Sequence, residues 1–90
     1  MKHYVLVGSF KKNPSEVADF KSIMGEHHSY LKDHKDKGDV LLSGPKAEGG
    51  GGVILIRTDD IQRFIEADPL FKAGIQEYQA VEFEIFDGQD

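Results

Sequence analysis

Four short runs rich in β-branched and aromatic residues, separated by two stretches of helical spacing, leave this chain few ways to fold. The runs are KHYVLVG at 2–8, DVLLSGP at 39–45, GVILIRT at 52–58 and YQAVEFEIF at 78–86. Residues 13–38 carry helix signals at both ends. Pro14 suits the first turn, Ser15 and Glu16 supply a cap and a negative charge, and Gly38 lies just past the end. Val17, Phe20, Met24 and Leu31 recur at three-four spacing, which predicts one buried stripe. Gly25 within it costs about 1 kcal/mol relative to alanine. Between the third and fourth runs, Asp59 or Asp60 caps DIQRFIEA. Asp68-Pro69 then starts another turn or two of helix, which Gly74 stops. The tail DGQD reads as a frayed end.

The order βαββαβ predicts a ferredoxin-like α+β fold, a four-stranded antiparallel sheet with two helices on one face. Right-handed crossovers place strands one and three in the centre and strands two and four at the edges. Hydropathy agrees: YVLV and VILI are apolar on both faces, whereas VEFEIF alternates. Two helices cover one face only. The other needs a second cover, and in a single domain of 90 residues the expected cover is another copy, giving a homodimer packed sheet to sheet through the open face.

Composition narrows the function classes. There is no cysteine, so disulfides, thiolate ligands and a thiol nucleophile are excluded. A net charge of −5 without a basic stripe argues against nucleic acid as a partner. The opening apolar run is too short for a signal-peptide core and no stretch reaches membrane-spanning length, so the expectation is a cytoplasmic protein with no membrane partner.

Three of the four histidines fall in one segment, EHHSYLKDH at 26–34. Continuing the apolar stripe by helical steps places His27 and His34 on it and His28 one position round. His27 and His34 are roughly 10 Å apart along a helix axis, and His27 and His28 point about 100° apart. Neither pair converges on one ion and no HExxH spacing is present, so no metal site is expected. His27 is then either a core histidine bonded to a backbone carbonyl or a general base whose tautomer a second group fixes. Asp68 is the acid that stands out, lying before Pro69 between two apolar helical segments. Its plainer reading is a helix cap that bonds only local backbone N–H groups.

The succession of HHSYLKDHKDKGDVLLSGP, a glycine-rich break, an apolar strand and EADPLFKAG resembles the YciI-like family, whose fold belongs to the dimeric α+β barrel group. The likeness spans nearly the whole chain. It rests on a histidine followed by leucine four residues later, a Leu-x-Gly-Pro strand end, and Asp-Pro followed by Ala-Gly. The resemblance places the family's histidine at His27 and its acid at Asp68, a His–Asp dyad beside a pocket. It also places Ser43, Gly44 and Pro45 at a strand end near that pocket, as substrate-binding residues. His28 stands where relatives carry an apolar residue, and the segment after SGP is shorter than in some. The family includes an enzyme of chloride elimination and is related in fold to muconolactone isomerases.

The remaining features read more plainly. KAEGGGGV lacks the Gly-Lys-Ser/Thr ending of a phosphate loop and precedes a strand, so Gly49–Gly52 reads as a mobile hairpin connection with a lid as the alternative. Ser43 lacks the strand-to-helix elbow of a nucleophile. Tyr30 and Tyr78 read as packing residues, with pocket lining as the alternative, and KDHKDKGD as a solvated helix end whose lysines suit the helix dipole. The leading expectation is a lyase or isomerase without metal or cofactor. His27 would move a proton on a small organic substrate while Asp68 holds its tautomer. The alternatives are a non-catalytic ligand-binding or regulatory dimer, and a purely structural His–Asp brace.

Overall fold

The computed structural model describes residues 1–86, and the expectation for DGQD lies outside them. Four strands, β1 (Lys2–Phe10), β2 (Val40–Pro45), β3 (Gly51–Thr58) and β4 (Gln76–Phe83), form one antiparallel sheet in the order β2-β3-β1-β4. The two strands apolar on both faces are therefore the central pair. Helix α1 spans Phe20–Lys37. The second helical stretch is split into α2 (Ile61–Ala67) and α3 (Pro69–Lys72). All three lie on one sheet face, giving the α+β ferredoxin-like architecture.

Side-chain alternation fixes what each face meets. Leu6, Ile54 and Ile56 point towards the helices and are buried with Val40, Phe64 and Ile65 in one cluster. Leu6 and Ile56 are fully enclosed, so truncating either to alanine costs about 2–5 kcal/mol. The opposite face carries Val5, Val7, Val53, Leu55 and Val81, joined by direct cross-strand pairs. No helix covers it among the described residues.

Two elements differ from the sequence reading in their bounds, and one open choice of cap is settled. Pro14–Glu16 forms a separate 3-10 turn, capped by the Asn13 side chain on the Ser15 N–H at 3.1 Å. The chain is extended at Val17 (φ −100°, ψ 116°), which suits its β-branched side chain and breaks the helix. The helix restarts only at Phe20, whose ring meets Phe10 edge-on at 5.8 Å. The fourth strand runs from Gln76 to Phe83, so Glu84–Phe86 fall outside it. Asp60, not Asp59, caps α2, accepting from the Arg63 N–H at 3.1 Å.

A register shift between Val40 and Leu42 has a consequence for the site. Val40 pairs with Ile56 on the helix-facing side. Regular alternation from Val40 would turn Ser43 to the open face. The bulge reverses it, so Leu42 opposes Leu55 on the open face and Ser43 opposes Ile54 on the helix side.

Candidate functional site

His27 is the one buried residue of α1, with 7% of its surface exposed. Its neighbours on the stripe, Met24 and Leu31, are half-buried, so the helix turns this face inward and the imidazole with it. Across from it, Asp68 ends α2 in extended backbone and caps α3, accepting from the Leu70 N–H at 3.3 Å. Pro69 at the next position cannot donate, and its fixed φ suits the first turn of α3. The Asp68 carboxyl is fully buried and its Oδ1 lies 2.7 Å from His27 Nδ1. Asp68 thus has both of the partners the sequence suggested, the local cap and the distant imidazole.

A third group completes the cluster. The Tyr78 hydroxyl donates to Asp68 Oδ2. Sequence reasoning favoured packing for Tyr78, and its ring does pack against the core, but its hydroxyl has a polar role as well. Three donors, His27 Nδ1–H, Tyr78 O–H and Leu70 N–H, converge on one carboxylate that only accepts. That directionality sets the tautomer of the neutral imidazole: with its proton on Nδ1, Nε2 is the acceptor. Burial raises the Tyr78 pKa well above the usual phenol value. The Asp68 charge and hydrogen bond push it the same way, against a smaller opposing effect of the Gln76 side chain. Tyr78 therefore keeps its proton and remains a donor to Asp68.

Gly8 makes this arrangement possible. It lies opposite Tyr78 in the β1–β4 register. A Cβ there would sit 2.5 Å from Gln76 Nε2 and 2.8 Å from Tyr78 Cε1. Both side chains fold into the space a larger residue would take. The sequence reading drew nothing from Gly8, although a glycine within a strand is a signal of close approach.

His27 also lines a pocket of about 470 Å³, between α1, the end of β2 and the start of β3. Its walls are mostly apolar, with the side chains of Phe10, Met24, Leu31, Pro45 and Ile54 among them. Ser43, Gly44 and Pro45 all line it, the serine because of the bulge. Gln76 lines it too, buried to 3% exposure, and the sequence reading did not single it out. His28 borders the pocket as an exposed residue. Asp68 does not line the pocket; it stands behind the imidazole.

The glycine run forms a tight hairpin end. Lys46 N–H donates to the Gly51 carbonyl at 3.0 Å, Gly49 N–H to the Lys46 carbonyl at 2.9 Å, and Phe10 N–H to the Gly50 carbonyl at 2.9 Å. A Cβ on Gly51 would fall 1.8 Å from the Gly8 carbonyl oxygen, so only glycine fits there. Gly51 and Gly52 line the pocket.

His34 takes no part in this pocket. Its Nδ1 bonds Asp39 Oδ2 at 2.8 Å, and its ring meets Tyr30 and Phe64 edge-on at 4.6 and 5.0 Å. The helix end is thus solvated at Lys35, Asp36 and Lys37, but not at His34. Tyr30 packs as expected, its hydroxyl donating to the Phe64 carbonyl at 2.8 Å. Burial, then the Asp68 and Asp39 charges, push its pKa up to about 12 against a smaller opposing effect of Arg63. Among the described residues, no three His, Cys, Asp or Glu side chains gather as a metal site. Nor is any described helix long and apolar enough to cross a membrane.

Comparison with known proteins names the fold's family. The model of the YCII-related domain matches residues 2–84, nearly the whole chain, and the chain belongs to that family. No curated protein matches it.

Proposed function

We propose that this protein is a small enzyme that transfers a proton on a compact organic substrate, using a His27–Asp68 dyad in an isomerisation or elimination. The observation that carries this is the hydrogen bond of 2.7 Å that ties Nδ1 of a pocket-lining imidazole to a fully buried carboxylate. With Nδ1 occupied, Nε2 is the basic atom. It takes a proton from a carbon beside a carbonyl, or from a phenol, and the electron pair moves onto the substrate oxygen. Asp68 stabilises the imidazolium that results. The same proton returned at another carbon gives isomerisation; departure of a leaving group with its electron pair gives elimination. Ser43 and the Gly44-Pro45 backbone line the other wall and would hold the substrate.

The test is solvent deuterium uptake by a carbon acid such as 2-indanone, followed by NMR. Wild type should exceed the buffer rate, and His27→Ala should return to it, a loss of about 10²–10⁴-fold. Exchange preserved in a folded His27→Ala protein would remove the proposal.

A second reading, a ligand-binding or regulatory protein without chemistry, draws on the threefold use of Asp68. Capping α3 and anchoring Tyr78 give the pair a structural purpose even with no turnover. Binding without conversion, lost in His27→Ala, would favour it. Either reading goes with a homodimer through the open sheet face, where Leu42 and Val81 are 65% and 53% exposed. Sedimentation equilibrium should give twice the chain mass, and Val81→Lys should lower it.

A further inference from the structure

Among the described residues, the side chains lining the pocket include only two that can carry a charge near neutral pH, His27 and His28. No lysine, arginine, aspartate or glutamate joins them there. The two rings are neighbours without stacking, with centroids 5.8 Å apart and planes inclined at 48°. Their surroundings differ. His27 is buried and tied to Asp68 through Nδ1. His28 is exposed, so water can solvate a charge on it. Whereas Asp68 and Asp39 hold His27 and His34, no side chain among the described residues bonds the His28 ring. Its nitrogens are therefore free for a ligand. An imidazolium donates from both nitrogens, so a charged His28 offers a donor whichever way its ring is turned.

Charge balance gives the two rings complementary roles. When His27 Nε2 takes a proton from carbon, the C–H electron pair forms the new C=C bond and the carbonyl π pair moves onto oxygen. A bare negative oxygen is costly in a mostly apolar pocket unless a neighbouring group neutralises it. Ser43 and Gln76 offer hydrogen bonds there but do not give up a proton near neutral pH. His28 can. If it starts as the imidazolium and gives that proton to the oxygen, His27 ends as the imidazolium, and the pair holds one positive charge throughout. Two adjacent positive rings, which would repel, never arise. We propose that His28 is the general acid of the site, donating a proton to the substrate oxygen while His27 takes one from carbon. The substrate class this names is a compact carbonyl compound with an acidic C–H next to its C=O, bound with its oxygen at His28 and converted through a neutral enol. This inference rests on the proton-transfer reading of the pocket.

Affinity and turnover test it separately. 3,4-Dinitrophenol is an anion at neutral pH and imitates the charged oxygen; 3,4-dinitroanisole is the same body without the charge. In absorbance titrations, His28→Leu should bind the phenolate about tenfold more weakly than wild type does, the value of one charge-assisted hydrogen bond, and the anisole equally well. In deuterium exchange with 2-indanone, His28→Leu should lose about 10²-fold. His28→Gln keeps an N–H but has no proton to transfer. It should recover part of the phenolate affinity and leave exchange nearer to His28→Leu than to wild type. Equal phenolate affinity in wild type and folded His28→Leu, parallel losses for phenolate and anisole, or wild-type exchange in His28→Gln would each overturn the proposal. The two readings fail differently. No exchange by wild type removes proton transfer and the role of His28 in it together, whereas wild-type exchange that His28→Leu matches removes His28 alone.

Discussion

Helix α1 carries two His–carboxylate pairs of nearly equal length on one face, and they do different things. His27 and Asp68 lie 41 positions apart in sequence and meet at 2.7 Å; His34 and Asp39 lie five apart and meet at 2.8 Å. Asp68 is fully buried, while the Asp39 side chain retains 28% of its exposure. The first pair joins α1 to the break between two helices and receives a tyrosine from the sheet. The second closes the end of its own helix, where Asp39 N–H bonds the His34 carbonyl at 3.1 Å. A hydrogen-bonded imidazole is therefore not by itself a site. What separates the two is a largely apolar pocket in front of the ring and a carboxylate behind it with both oxygens hydrogen-bonded. Asp39 has an oxygen, Oδ1, that is buried without a partner.

The comparison can be broken most directly at the histidines. His27→Gln should abolish the deuterium exchange described above, whereas His34→Gln should leave it within about twofold, an effect too small to be a lost catalytic group. Equal losses from both would mean that the pairs act through fold stability alone.

The acids should differ next. Asp68→Ala leaves His27, Tyr78 and the Leu70 N–H without their acceptor in a buried place, and should lower stability by about 3–5 kcal/mol. Asp39→Ala loses one partly solvated hydrogen bond and should cost about 1 kcal/mol. Chemical denaturation of the two variants checks this, and similar costs would erase the distinction drawn from burial.

Tyr78→Phe is a smaller perturbation. It removes a hydrogen bond and keeps the ring beside Gly8, so the expected loss is about 1–2 kcal/mol. His27 should stay in place, with its NMR shift little changed.

The smallest effect is in acid. Burial of Asp39 would raise its pKa, but the hydrogen bonds from His34 and its own backbone, with the charges of His34 and Lys37, outweigh it. They hold the carboxyl below its ordinary value of 3.8. A carboxyl whose folded pKa is lowered contributes stability above the unfolded value and loses it as pH falls through the folded one. The stability gap between wild type and Asp39→Asn should therefore be present at about pH 5 and close as the pH falls well below 3.8. A gap unchanged at about pH 2 would show that another group carries it.

Much of the fold was legible because the residues that specify it act locally or by period. Apolar runs set strands, their double-sided character set the central pair, and Asp60, Gly38 and Pro69 marked helix ends. The misplaced start of α1 came from treating Pro14 as the head of one long helix. Asn13 capped a single 3-10 turn instead, and Val17 preferred extended backbone. At the site, His27 and Asp68 were reachable, one from helical periodicity and resemblance, the other from its place before Pro69.

Tyr78 and Gln76 were not reachable, for a physical reason. Nothing in QEYQAVEF marks one tyrosine or glutamine as facing inward, since that depends on register against β1 and on the space left by Gly8. The inward turn of Ser43 likewise required a one-residue shift between β2 and β3 that no local pattern announces. The amino-acid order by itself determined the elements, their sequence along the chain and the histidine aimed inward, because periodicity and capping are short-range. Only the tertiary structure decided which carboxylate met that histidine and which polar groups joined them around a pocket. Those contacts bridge strands and helices distant in sequence, and each depends on a distance that folding alone sets.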